Sequence, residues 1–211
     1  MSCSGRMWFG VAVVGCLMAP RPSQAQSAIV LPRPGQVGVS VQGGYGMLLD
    51  SGNVGPIFES GPTFAVRVRY RMRYERGLGL SFESQSYDPR IAPIPYVIGI
   101  DSTVAPTKLT VIASGVELYQ MFNTRTSTVK MLMVGAGLVQ MRADLNTGET
   151  QPTGKPYAGD GAYVSVGAGI ERFFLRSWAY DLSARYLAVF RDGKANHDVQ
   201  VALGAIFYAG Y

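Results

Sequence analysis

The chain has 211 residues, which suits one domain, and a formal charge of +5 from basic residues spread too evenly to argue for a nucleic-acid surface. Only 16% of residues are charged, yet after the first 25 positions there is no apolar run of roughly 18 residues or more. Helical membrane spans are thereby excluded from the body of the chain. Membrane strands are not, because alternation dilutes their apolar residues.

Residues 1–25 read as a secretory signal. Arg6 supplies the basic start, residues 7–19 are apolar, Pro20 breaks the run, and Ser23 and Ala25 stand at the small-residue positions of a cleavage site. Cleavage after Ala25 removes Arg6 and Arg21 and leaves a charge of about +3. It also removes both cysteines, Cys3 and Cys16, so the remaining chain has no thiol chemistry. A second reading of this segment takes Val13-Val14-Gly15-Cys16 as a lipidation motif with Cys16 as the first residue. The site after Ala25 is preferred because it follows a complete polar c-region. Residues 26–35 form a short lead-in.

From residue 36 onward the pattern has period 2, which places successive side chains on opposite faces of a strand. In residues 36–48 one face is Val37, Val39, Val41, Tyr45 and Met47, and the other is Gln36, Gly38, Ser40, Gln42, Gly44 and Gly46. Residues 63–75 are the clearest case. Phe64, Val66, Val68, Tyr70, Met72 and Tyr74 share one face, and Arg67, Arg69, Arg71 and Arg73 share the other. Leu78, Leu80 and Phe82 then alternate with Gly79, Ser81, Glu83 and Gln85.

Residues 108–121 and 129–142 are strand-like but ambiguous in phase, since Val111-Ile112 and Leu132-Met133-Val134 are apolar on both faces. Either a bulge or an apolar layer on the inner face would explain them. Alternation returns in residues 162–171 and 180–191. It ends with Val199, Val201, Leu203, Ala205, Phe207, Ala209 and Tyr211 on one face.

This makes eight strands. Their connections alternate in length: long at 49–62, short at 75–77, long at 88–106, short at 123–126, long at 143–160, short at 175–177 and moderate at 192–196. An antiparallel up-and-down barrel with all long loops at one end has this order. Tyr74, Phe122, Phe173, Phe174, Trp178, Tyr180 and Tyr211 gather at the short-turn end, and Phe64, Tyr186 and Phe190 lie towards the other. Two interfacial girdles would be placed this way.

With Gly77-Leu78-Gly79-Leu80-Ser81-Phe82-Glu83, Gly169-Ile170-Glu171-Arg172-Phe173-Phe174 and the terminal aromatic, the chain resembles the OmpA/OmpX-type small outer-membrane barrels over residues 36–211. The resemblance implies an all-β, eight-stranded antiparallel transmembrane barrel in the outer membrane of a Gram-negative-type bacterium, following a cleaved signal peptide. It makes residues 26–35 periplasmic. It implies contact with envelope lipid and lipopolysaccharide, and makes Phe207 and Tyr211 the signal read by the barrel-assembly machinery. An extracellular partner would meet loops 49–62, 88–106 and 143–160. Within the second of these, residues 91–100 are mostly apolar.

On this architecture Arg67, Arg69, Arg71, Arg73 and Arg185 point into the lumen, with Glu83, Glu117, Glu171 and Asp181 as partners. A barrel of about eight strands is just wide enough for side chains to fill it. A polar plug is therefore expected, and a narrow anion-preferring pore is the alternative. Catalysis is not expected. His197 is the only histidine, and it is followed by Asp198, Val199 and Gln200. The barrel lipid A deacylases, by resemblance, carry a serine shortly after the histidine, and here it is missing. An envelope-lipid-modifying enzyme is thus a distant alternative, and His197 reads as a solvated loop residue.

No cofactor or metal is expected, since Asp50, Asp101, Asp160 and Asp192 fall in different loops. Gly135-Ala136-Gly137 and Gly167-Ala168-Gly169 lie inside strands and read as space-savers in a narrow barrel, not as nucleotide loops. A small apolar ligand in the lumen is compatible with the two ambiguous strands. The expected role is non-enzymatic: an envelope protein that presents loops outward.

Overall fold

The computed structural model describes residues 33–49, 52, 54–55, 58–89, 106–145, 159–175 and 177–209. Ala25, Cys16, residues 91–100 and Tyr211, singled out above, lie outside these residues. The strands are β1 (Val37–Leu48), β2 (Ser60–Arg71), β3 (Arg76–Tyr87), β4 (Pro106–Phe122), β5 (Thr128–Leu145), β6 (Gly159–Phe173), β7 (Trp178–Arg191) and β8 (Lys194–Ala209). Each pairs antiparallel with the next, and β8 returns to β1 from Val37↔Ala209 to Leu48↔Asp198, closing the barrel. Closure removes both free edges, so each strand's backbone groups find partners on either side.

The alternation sorts the side chains as expected. On β2, Phe64 and Tyr70 are exposed while Arg67, Arg69 and Arg71 are buried. Around the barrel the exposed face is a wall of Val, Leu, Phe and Tyr, with Leu138 at 69% exposure. The polar residues have gone inside. In water such a wall would be a liability, and in a bilayer it is what the solvent requires.

The two ambiguous strands resolve into an apolar lumen layer without a bulge. β4 and β5 pair without interruption from Lys108↔Asp144 to Phe122↔Lys130, the one irregularity lying between Pro106 and Lys108. Val111, Ala113, Met131, Met133, Val139 and Met141 point inward and are buried, whereas Ile112, Leu132 and Val134 face out.

Five expectations are corrected. The β2–β3 connection runs over residues 72–75 and not 75–77, tightened by the Arg73 amide donating to the Arg76 carbonyl at 3.0 Å. Gly77 belongs to β3, where a Cβ would sit 2.8 Å from Met121 Cε. Arg73 therefore lies beyond the end of β2 and is exposed, not in the lumen. The alternation that marked it simply continued, by composition, past the last paired residue.

The connection placed at 192–196 is only Asp192-Gly193, with φ of 49° and 72°. Two residues in the left-handed region make the tight hairpin whose twist matches its strands. Residues 194–197 are thus part of β8, and His197 is a strand residue, not a loop residue.

Phe173 is not in the girdle either: it is buried against Tyr208, ring centroids 5.8 Å apart. The exposed girdle at the short-turn end holds Phe174 stacked on Tyr180 at 4.4 Å and Trp178 beside Phe207 at 5.1 Å.

Inside, side chains fill the lumen in three storeys. Met121, Val129, Met131, Phe173, Ile206 and Tyr208 belong to an apolar cluster at the short-turn end. Leu109, Val111, Val139, Met141, Leu187 and Val189 belong to a second at the long-loop end. The β1–β2 connection helps cap the latter, as Val54 and Phe58 are fully buried in it and the Val54 amide donates to Asn196 Oδ1 at 3.1 Å. Charged residues occupy the storey between.

Candidate functional site

The middle storey is assembled from residues that no single strand brings together. Arg67, Arg69 and Arg71 follow one another at period 2 on β2. Their partners come from β3 (Glu83), β4 (Glu117), β6 (Glu171) and β7 (Asp181), with Arg185 added from β7.

Two linked clusters result. In one, Arg67 Nη2 meets Glu83 at 2.9 Å and Arg67 Nε meets Glu117 at 3.8 Å. Arg185 bridges the same two acids, pairing with Glu83 and lying 2.6 Å from Glu117 Oε1. In the other, Arg69 binds Glu171 and also Asp181 at 2.8 Å, while Arg71 binds Glu171 at 2.8 Å. The ion-paired side chains are at most 1% exposed. In that low dielectric each charge is tolerated only because an opposite charge and hydrogen-bond donors surround it.

Neutral side chains complete the shell. Ser40 donates to Asp181 at 2.9 Å, and the Tyr208 hydroxyl donates to Glu171 at 2.8 Å. Gln42 and Ser183 accept from Arg67, Ser165 accepts from Arg185 at 3.1 Å, and Tyr119 donates to Glu117. The Arg69 and Arg71 guanidinium groups lie over the Tyr119 and Tyr208 rings, at 4.7 and 5.0 Å. Gly167 makes room for Arg185, because a Cβ there would lie 2.8 Å from Arg185 Cγ.

Of the nine charges expected in the lumen, eight meet here and Arg73 does not. The arginine excess that favoured an anion path is gone: four guanidinium groups face four carboxylates. Tyr119 and Tyr208 were not anticipated. The inward phase of Tyr208 was visible in the alternation, and that of Tyr119, on a strand of open phase, was not. In either case a tyrosine inside a barrel reads as bulk until a carboxylate is placed beside its hydroxyl.

His197 and Asp198 do not form a dyad. His197 lies on the outer face, its Nδ1 2.5 Å from the Tyr186 hydroxyl and its ring 5.7 Å from that of Tyr186. Asp198 points inward, where it accepts from Gln200 at 2.7 Å. Adjacent strand residues face opposite ways, so sequence adjacency separated them.

Among the described residues no three His, Cys, Asp or Glu side chains converge. Asp160 lies on β6 and accepts from Gln140 at 3.2 Å, and Asp192 pairs with Arg191 at 3.0 Å. Asp50 and Asp101 lie outside the described residues.

A filled, closed barrel with an apolar outer wall defines a class: the small transmembrane β-barrels. Solved structures are similar to it, two of them as follows. Neisserial surface protein A superposes with a TM-score of 0.56 at 12% identity, covering 82% of this chain and 96% of its own. The outer membrane protein OprG from Pseudomonas aeruginosa also gives 0.56, at 10% identity, covering 85% and 98%. At such identities the likeness is one of fold: the chain has the eight-stranded fold of the OmpA/OmpX-like outer-membrane barrels. No family model and no curated protein matches the sequence.

Proposed function

We propose that the chain is a non-enzymatic barrel of a Gram-negative-type outer membrane, with a closed lumen, acting through its outer surface and extracellular loops in the envelope. The observation that supports this best is the balanced ion network between two apolar storeys. A conducting path would need water beside these charges, and the apolar clusters stand between the network and both ends. The network then serves rigidity, cross-linking β2, β3, β4, β6 and β7 through the interior. Loops 49–62, 88–106 and 143–160 are left as the surface for an extracellular partner. Phe207, on the outer wall near the end of β8, suits a role in recognition by the assembly machinery.

The opposite facing of His197 and Asp198, which keeps them from acting as a pair, supports the non-enzymatic reading.

Single-channel recording of the refolded chain in a planar bilayer tests the closed lumen. Folding is confirmed by the electrophoretic heat shift of small barrels. Folded protein that stays silent is the expected result. Discrete anion-selective openings that weaken in Arg69→Ala would replace this reading with the narrow pore.

A further inference from the structure

The charges at the two ends of the barrel are unequal. At the short-turn end Arg33, Arg73, Arg76, Arg125 and Lys130 are exposed, against the single exposed acid Glu75 among the described residues. At the long-loop end the exposed bases Lys108, Arg142 and Lys194 are matched by Glu59, Asp88, Asp160 and Asp192. Neither Arg125 nor Lys130 has an ion-pair partner among the described residues. The uncompensated positive charge therefore sits where the barrel wall meets the headgroups of one leaflet, and such charge attracts anionic lipid.

One sector of that wall is hollow. Across β5 to β8 the small outward side chains of Ala168 and Ala184 leave a trough of about 510 Å³ among larger residues. Leu132, Ile170 and Leu182 line its sides. Phe122 and Lys130 lie at its short-turn end, paired in register on β4 and β5. Lys130 can lay its methylenes on the apolar wall and hold its ammonium at headgroup level. Arg125, in the turn that joins these strands, is a second exposed cation at the short-turn end.

We infer that this trough with Lys130 and Arg125 is a binding site for one anionic phospholipid of the short-turn leaflet. An acyl chain lies over Ala168 and Ala184, and the phosphate is held by the two cations. The occupant follows from the chemistry: a groove that is apolar along its length and cationic at one end matches an amphiphile with an anionic head. The inference rests on the proposal that the barrel spans a membrane.

Native mass spectrometry of the full chain, refolded in detergent with equal phosphatidylglycerol and phosphatidylcholine of the same acyl chains, tests it. The heat shift and insertion into vesicles are checked for each variant. The wild type is expected to retain phosphatidylglycerol preferentially. Lys130→Gln and Arg125→Gln should each lower that preference about fivefold, the loss expected for one surface charge. Ala184→Trp, which fills the trough, should lower retention of both lipids.

Arg73→Gln, in the turn between β2 and β3, combined with Arg76→Gln at the start of β3, should leave the preference unchanged. Equal retention of both lipids by the wild type would overturn the site. An equal loss in the Arg73/Arg76 variant would also overturn it, by showing a diffuse basic rim. Unchanged retention in Ala184→Trp would do the same. Failure of the wild type to insert into vesicles would instead overturn the membrane reading beneath it.

Discussion

Arg69 is the residue on which the lumen network turns, because it alone joins Glu171 to Asp181 while lying on the Tyr119 ring. Removing it leaves Asp181 with no cation in a closed interior and Glu171 with Arg71 alone. Arg69→Ala is expected to cost about 3–5 kcal/mol of unfolding free energy, read from urea titration in lipid vesicles. The double change Arg69→Met with Asp181→Leu should recover part of that loss, since a buried pair can be exchanged for apolar bulk. A loss below about 1 kcal/mol for Arg69→Ala would mean that water reaches the network.

At this scale the sequence was informative about charge and silent about partners. Period 2 put Arg67, Arg69, Arg71 and Arg185 on inward faces, and the same rule supplied Glu83, Glu171 and Asp181 in matching phase, while Glu117 lay on a strand whose phase it left open. It also included Arg73, since alternation has no marker for the residue where pairing stops. The pairing itself, Arg185 with Glu117 or Arg71 with Glu171, joins residues 68 and 100 positions apart. Only the stagger of the closed sheet brings them level.

β5 carries the argument at the level of elements. Its outward residues Leu132, Val134 and Leu138 and its inward residues Met131, Met133 and Val139 are all apolar, so hydropathy alone left its phase open. The phase was decided by its neighbours: Val134 pairs with Leu118 on β4 and Val166 on β6, both outward. If the outer wall meets lipid, a charge on β5 should cost more the deeper it lies. Val134→Arg is expected to destabilise the barrel by about 2–4 kcal/mol in vesicles, and Gln140→Arg, nearer the loop end, by about 0–1 kcal/mol. Equal costs at the two positions would argue against a membrane-embedded wall.

The β7–β8 hairpin shows the opposite case. Asp192-Gly193 is a strong signal for a two-residue turn, yet the polar run that follows, Lys194-Ala195-Asn196-His197, extended the expected loop by three residues. These residues are in the sheet because a ladder continues wherever a partner strand is present, whatever the local propensity.

The whole molecule depends on one seam, where β1 meets β8 and the sheet becomes a barrel. At Gly44 a Cβ would lie 2.7 Å from Ala202 Cα and collide with the Val201 carbonyl, whereas at its outward neighbour Gly43 a Cβ would meet nothing within 4 Å. Gly44→Val is therefore expected to abolish the heat-shifted, folded band, and Gly43→Val to retain it. Folding of both variants alike would show that the seam has slack.

The sequence by itself determined that this chain forms eight alternating strands with long connections at one end, and which face of most strands is polar. Those properties are local, written in a period of two residues and in the composition of turns. The tertiary structure decided the rest: the phase of β4 and β5, the exclusion of Arg73, the separation of His197 from Asp198, and the neutrality of the lumen. Each of these depends on register between strands, and register is set by closure of the sheet, a condition that no single segment contains.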